Sequence, residues 1–186
     1  LTKNTDPTPY MNRYKNSLHF TDKMIDRLLT YLQKRGLLKN TWVVLTGDHG
    51  QEINDTRHNF WGHNSNFAKY QTHVPLFVWS PSGSVAQTLT YRTNHYDIAP
   101  TILKHVYHCT NAPADYSIGA DLFDSTPRPF SLISSYTKKA VRTGDKLTVM
   151  DAYGNLEFYD ENFTPIPDGA DAAQVGEAFK TFAKFY

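Results

Sequence analysis

Cysteine, net charge and long apolar runs are all scarce in this chain of 186 residues. The single cysteine, Cys109, excludes an internal disulfide and a cysteine-rich zinc site. Nineteen basic and eighteen acidic residues give a formal charge of +1, without the basic block that a nucleic-acid-binding surface uses. The longest apolar runs, near residues 42–45 and 74–79, are far too short to cross a bilayer. We therefore expect no nucleic acid partner, and these residues contain no spanning segment.

The first residues also lack two common features. The chain begins at Leu1 without an initiator methionine, and no signal peptide opens it. We therefore expect a processed chain or a piece cut from a longer one. Its length still permits one domain with a buried core.

Residues 42–52 carry the clearest chemical signal. An apolar, β-branched run ends abruptly at Gly-Asp-His-Gly, residues 47–50, which predicts a buried strand followed by a sharp turn. In α/β sheets, ligands bind beyond the carboxyl ends of strands, where a carboxylate and an imidazole can hold a divalent cation. Side chains alternate along a strand, so Asp48 and His49 converge only if the strand ends there or if two metals are held. An ordinary strand and turn fits the same residues, because Asp and Gly favour turns.

A polar loop over residues 53–72 follows this stretch and contains His63. The loop is longer than a simple connector, and long loops at a strand end often carry binding residues. His63 is near enough in sequence for the loop to fold back over Asp48 and His49. We expect it to contact an anionic oxygen of a bound ester, although a solvated loop histidine fits equally well.

Apolar spacing predicts a helix before the strand. Residues 1–13 contain two prolines and are expected to form an extended lead-in. From Tyr14 to Leu32, apolar residues recur at helical intervals, which predicts an amphipathic helix that Gly36 ends. This helix would lead into the strand and give an α-β unit.

The remainder of the chain predicts one more strand, a helix and then a β meander. The apolar run at 74–79 is typical of a strand covered on both faces. Asp97 and Pro100 favour the start of a helix that continues toward Cys109. The expected later elements are strands at 131–136, 139–142, 146–150 and 156–159, separated by turns, and a helix over 170–186.

The order of these blocks resembles the C-terminal half of the sulfatase and alkaline-phosphatase superfamily. Asp-His-Gly alone is a weak signal, whereas several blocks in order over about residues 14–123 are specific. We therefore expect an alkaline-phosphatase-like α/β core over residues 1–128, and a subdomain of antiparallel β meander plus terminal helix over 129–186. The matching blocks are Val-Val-Leu-Thr-Gly-Asp-His-Gly at 43–50, Trp-Gly-His at 61–63, His-Val-Pro-Leu-Phe-Val at 73–78, His-Tyr-Asp-Ile-Ala-Pro-Thr-Ile-Leu at 95–103 and Tyr-Ser-Ile-Gly-Ala-Asp-Leu-Phe at 116–123.

The resemblance implies roles for the site residues. In the superfamily, the residues that match Asp48 and His49 bind the catalytic divalent metal, and a histidine near the place of His63 contacts the phosphate or sulfate group. An Asp with a His suits Mn²⁺, Mg²⁺ or Zn²⁺ better than Ca²⁺. The superfamily nucleophile lies upstream of the matching region, and Cys109 lies outside its pattern. We therefore expect no catalytic residue in this chain and no esterase activity from it alone.

A narrower resemblance points to a membrane setting. The loop Asn-Phe-Trp-Gly-His-Asn at 59–64 and the neighbourhood of Cys109 and residues 116–117 resemble the YejM-like, or PbgA-like, inner-membrane proteins of Gram-negative bacteria. These have an N-terminal membrane part and a periplasmic sulfatase-like domain, which implies a location at the periplasmic face of the inner membrane.

Two functions stay open at this stage. The whole protein hydrolyses or transfers a phosphate or sulfate ester, or it is a non-catalytic domain that recognises a lipid such as lipopolysaccharide or cardiolipin on the same fold. The implied partners are a phosphate- or sulfate-containing lipid or ester, the upstream half of the same domain, and the membrane through an N-terminal segment.

Overall fold

The computed structural model describes residues 1–64, 66–83 and 86–185. It divides into two compact units, Leu1–Gln87 and Thr88–Tyr186. The first unit contains α1 (Thr8–Lys34), β1 (Val43–Thr46), β2 (Glu52–Ile53), β3 (Trp61–Gly62), α2 (Lys69–Thr72) and β4 (Leu76–Trp79). The second unit contains α3 (Ile98–His105), β5 (Ser131–Ser134), β6 (Lys139–Thr143), β7 (Lys146–Met150), β8 (Leu156–Asp160) and α4 (Ala172–Phe185).

Helix α1 begins earlier than the sequence pattern indicates. It starts at Thr8, so the prediction of an extended lead-in is wrong for residues 8–13. Pro9 lies in the first turn, where a missing N–H breaks no helical hydrogen bond. Asp6 Oδ1 accepts a hydrogen bond of 3.0 Å from the backbone N–H of Thr8, one of the donors that a helix start leaves unpaired. Gly36, with a φ of 69°, follows the end of the helix as predicted.

The apolar face of α1 is only partly covered. The helix has no fully buried residue, and Leu18, Phe20 and Leu28 are 49%, 66% and 52% exposed. An edge-on contact between the rings of Tyr10 and Trp61, with centroids 5.3 Å apart, joins the start of α1 to β3. No helix in the described part of the chain is long and apolar enough to cross a membrane.

Strand β1 ends where predicted but is not buried. It stops at Thr46 and pairs antiparallel with β4, where Val44 lies opposite Val78, and its apolar residues are only half-buried. Strand β4 was expected to be covered on both faces, yet Phe77 is 65% exposed and Trp79 is 44% exposed. Both predictions of burial are wrong, because an apolar run reports the tendency to form a strand and not what packs over it.

The β meander and terminal helix of the second unit confirm the prediction. Strands β5, β6, β7 and β8 form an antiparallel sheet in chain order. Helix α4 buries one face against β5 and β6, as its apolar spacing indicates. Residue 186, at the end of the predicted helix, lies outside the described residues. The core of this unit contains Leu132, Val141, Val175 and Ala178, with Phe179 and Phe182 packed against it.

Helix α3 is positioned by a buried carboxylate. Asp97 is fully buried and directly precedes α3 as its N-cap residue, so the prediction is confirmed in position, but its side chain makes no capping hydrogen bond to this helix. Its Oδ2 instead accepts a hydrogen bond of 2.8 Å from the backbone N–H of Asn94, in a capping box of the 3-10 turn over His95–Asp97. Its Oδ1 accepts a second, of 2.7 Å, from the backbone N–H of Ala120. The helix ends at His105 and not near Cys109, so the predicted helix is too long.

One glycine of the first unit permits a close backbone contact. The N–H of Gly50 donates a hydrogen bond of 2.8 Å to the carbonyl oxygen of Gln71. A Cβ at Gly50 would overlap the carbonyl oxygen of Tyr70 and lie 3.2 Å from Gln71 Cα. Only glycine therefore allows residues 70–71 to approach the turn after β1.

We predict that Gly50→Ala lowers the free energy of unfolding by about 1–3 kcal/mol, because backbone atoms must move to admit the methyl group. Urea unfolding followed by tryptophan fluorescence measures this, since all three tryptophans lie in the first unit. The matched control is Gly176→Ala in α4, where a Cβ meets no heavy atom within 4 Å. It should stabilise the helix by about 0.5–1 kcal/mol, measured by circular dichroism because the second unit contains no tryptophan. Unchanged stability of Gly50→Ala would contradict the close contact.

Candidate functional site

The candidate site begins at the end of β1. The strand stops at Thr46, before Asp48 and His49, so the alternation of a strand no longer separates their side chains. Asp48 Oδ2 lies 3.5 Å from His49 Nε2. Asp48 Oδ1 accepts a hydrogen bond of 3.0 Å from the backbone N–H of His49. The carboxylate and the imidazole therefore converge on one side of the turn.

His63 stacks on the same imidazole. It directly follows β3, whose residue Gly62 pairs with Glu52 of β2. The rings of His49 and His63 are stacked, with centroids 4.1 Å apart and an interplanar angle of 27°. The loop thus folds back over the end of β1. The role of His63 in binding an anionic group stays a prediction.

The Asp48 carboxyl group is open to solvent. Its side chain is 88% exposed, whereas that of His49 is 42% exposed. The pKa of Asp48 is lowered first by the hydrogen bond from the backbone N–H of His49 and then by the charge of the His49 ring, with a smaller effect from His63. The carboxylate therefore keeps its negative charge to a lower pH than an isolated aspartate.

The donor set fits a divalent metal in part. Two atoms 3.5 Å apart, Asp48 Oδ2 and His49 Nε2, can both contact an ion at the usual bond length of about 2.0–2.2 Å. His49 Nδ1 lies 2.9 Å from the carbonyl oxygen of Gly50, so the tautomer that donates there presents Nε2 to a metal. Across residues 1–64, 66–83 and 86–185, no group of three or more His, Cys, Asp or Glu side chains is arranged to hold a metal. The pair supplies two positions of a coordination shell that needs at least four.

Sequence reasoning missed the residues that support this site. Glu52 is fully buried, and Asn66 and Gln71 are 6% and 5% exposed. All three belong to the segment that contains His63. The available signal was an acidic residue inside a short strand followed by a loop rich in amides, because buried charge requires such partners. Cys109 belongs to the second unit, where its Sγ lies 3.4 Å from Asn111 Oδ1.

Comparison with known proteins decides the family. The profile of the sulfatase family matches residues 2–108, which is more than half of the chain. The chain belongs to the sulfatase family. The matched region includes Asp48, His49 and His63.

Individual relatives agree with this assignment. The chain is 26% identical to the inner membrane protein YejM of Salmonella typhimurium over 161 residues, and this aligned region covers 86% of the chain. It spans 26% of the length of that relative. The phosphonate monoester hydrolase of Agrobacterium radiobacter has a similar structure, with a TM-score of 0.63 and 20% identity over 87% of this chain and 38% of the hydrolase.

A further solved structure contains a substrate. It is a protein in complex with its substrate D-glucosamine-2-N,6-O-disulfate, and it matches with a TM-score of 0.57 and 22% identity over 88% of this chain and 36% of that one. Together these structures confirm the expected alkaline-phosphatase-like α/β fold.

The electrostatics of Asp48 give a testable prediction. A carboxyl-detected NMR titration should place the pKa of Asp48 below the ordinary aspartate value of about 3.9. His49→Gln should raise this pKa only part of the way, because the backbone N–H of residue 49 still donates to the carboxylate. His63→Gln should raise it less, because the charge of His63 contributes less. A titration midpoint at or above the ordinary value in the unmodified chain would contradict the geometry.

Proposed function

We propose that this chain supplies part of a divalent-metal site for phosphate or sulfate ester chemistry. Asp48 and His49 hold the cation, and His63 contacts the anionic group of the ester. The observation that carries the proposal is the convergence of these three side chains at the end of β1, with 3.5 Å between Asp48 Oδ2 and His49 Nε2 and 4.1 Å between the two imidazole centroids.

The residue types suit this chemistry. A carboxylate and an imidazole together are ligands for Mn²⁺, Mg²⁺ or Zn²⁺, and a bound cation would stabilise negative charge on a phosphoryl or sulfuryl oxygen. The imidazole of His63 can donate a hydrogen bond to the same anionic group. The nucleophile and the remaining ligands come from outside residues 1–186 in this proposal, so this chain has no catalytic residue of its own.

Relatives support the substrate class and the location. A structural neighbour binds a sulfated glucosamine, and another is a phosphonate monoester hydrolase. We place the whole protein at the periplasmic face of the inner membrane, and the similarity over 86% of this chain to an inner membrane protein supports that location.

A second candidate function uses the same site without turnover. The similarity to YejM, which is named as an inner membrane protein, also favours a regulatory domain that recognises a phosphate-bearing lipid such as lipopolysaccharide or cardiolipin. In that case the cation and His63 would hold a lipid headgroup, and no covalent bond would break. The two candidates share the anionic group and differ only in its fate.

Metal binding is tested directly on the chain. We predict that isothermal titration calorimetry detects Mn²⁺ binding, and that Asp48→Asn weakens it by more than about tenfold. Removing a direct ligand lowers metal affinity more than removing a residue that only hydrogen-bonds to a ligand. Asp26→Asn is the matched control, since it removes an exposed carboxylate from α1. Equal Mn²⁺ affinity of the unmodified chain and Asp48→Asn would disprove the metal assignment.

Turnover separates the two candidates. The chain alone should not hydrolyse p-nitrophenyl phosphate or p-nitrophenyl sulfate with Mn²⁺ or Mg²⁺, because it provides no nucleophile. Hydrolysis that Asp48→Ala abolishes would show this expectation to be wrong. In the full-length protein, ester hydrolysis supports the enzyme, whereas binding to cardiolipin vesicles without hydrolysis supports the lipid-recognition domain.

A further inference from the structure

We propose that Glu52 is a positioning residue, which holds the loop of His63 so that this histidine stays against His49. This inference rests on the proposed function only where it names what the two histidines bind. Glu52 is the first residue of β2, and none of its surface is exposed.

The Glu52 carboxylate is saturated by neutral donors. Oε1 accepts hydrogen bonds from the backbone N–H of Thr56, at 3.2 Å, and from the Thr56 hydroxyl. Oε2 accepts from Asn66 Nδ2 at 2.7 Å and from Gln71 Nε2 at 2.9 Å. A buried carboxylate that loses such a donor pays a large desolvation penalty, so these bonds constrain the backbone that provides them.

The donors lie on both sides of His63 in the chain. Thr56 precedes His63, whereas Asn66 and Gln71 follow it. Glu52 also pairs across the β2–β3 ladder with Gly62, the residue next to His63. The single carboxylate therefore connects the start and the end of the loop around the histidine.

The same network reaches His49. The carbonyl oxygen of Gln71 accepts the backbone hydrogen bond of Gly50, which directly follows His49. The side chain of Gln71 donates to Glu52. One glutamine therefore links the turn that carries His49 to the carboxylate that organises the loop of His63.

The backbone of this loop needs such an anchor. Asn54, Arg57, Asn59 and Asn64 have positive φ angles of 57°, 61°, 65° and 63°. Asparagine tolerates left-handed backbone better than most residues, whereas at Arg57 it is unfavourable and persists where surrounding contacts over-determine it. Hydrogen bonds to the Glu52 carboxylate provide such contacts at Thr56, within this stretch, and at Asn66 and Gln71, which follow it.

A purely structural role for Glu52 and a positioning role predict different results. Structural support alone would change stability, without a specific change at the histidines. Positioning requires that disturbing the carboxylate alters the stacking of His49 and His63, and weakens anion binding more than metal binding, because Asp48 and His49 lie outside the loop.

The test uses Glu52→Gln and a double variant that moves the carboxylate to the position of Asn66. In Glu52→Gln, one of the two acceptor oxygens becomes an N–H₂ group that faces donors, so hydrogen bonds are lost on one side of the side chain. The double variant Glu52→Gln with Asn66→Asp places the carboxylate on the other partner and restores one such contact. Glu177→Gln, an exposed glutamate of α4, is the matched control.

The first readout is the NMR spectrum of the histidine ring protons in the metal-free chain, with His49 and His63 assigned by His→Gln variants. Glu52→Gln should shift both sets of resonances as the stacked rings separate, and the double variant should return them toward their original positions. The second readout is the affinity of the Mn²⁺-loaded chain for inorganic phosphate. Glu52→Gln should weaken it by about tenfold and change Mn²⁺ affinity less.

Histidine resonances and phosphate affinity that stay unchanged in Glu52→Gln, with only a lower melting temperature, would overturn the positioning role. If Glu52→Gln does not fold, Thr56→Val removes a single donor and should shift the same resonances by less; unchanged resonances there would overturn the role equally. If the unmodified chain binds neither Mn²⁺ nor phosphate, the proposed function fails, and the NMR readout still decides the positioning role.

Discussion

The buried carboxylate of Glu52 is the constraint on which the loop between β2 and α2 depends. A fully buried acidic side chain is tolerated here because hydrogen-bond donors surround both of its oxygens. These donors come from separate positions in the segment between β2 and β4, so one side chain dictates how that segment folds. The arrangement stabilises a loop with strained backbone angles, and it brings an imidazole of the loop onto an imidazole of the strand end.

The site that results is supported by buried hydrogen bonds and open to solvent. Asp48 is largely exposed, and it shares one side of the turn with His49. Two adjacent donors can contact a cation, whereas ester hydrolysis also requires a nucleophile and further ligands. Membership of the sulfatase family and the similar solved structures therefore establish the fold, and the chemistry depends on the groups that complete the site.

Local patterns predicted those elements whose signals are short-ranged. The meander of β5 to β8 follows from strands separated by tight turns, and α4 follows from aromatic residues at helical spacing. The predicted start of α1 was wrong because a proline in the first turn is compatible with a helix, and Asp6 accepts a hydrogen bond from a backbone N–H there. Burial of β1 and β4 was wrong because it depends on what packs over the strands. The division of the chain at residue 128 and the ligand roles stay predictions.

The sequence by itself determined that a strand ends just before a carboxylate and an imidazole, because glycines on both sides and an apolar run before them act over a few residues. Whether the two side chains converge was left open by the sequence. Tertiary structure decided that His63 stacks on His49 and that Glu52 is buried among amides. These contacts join residues separated by a long loop, and no local periodicity records which residues meet when such a loop closes.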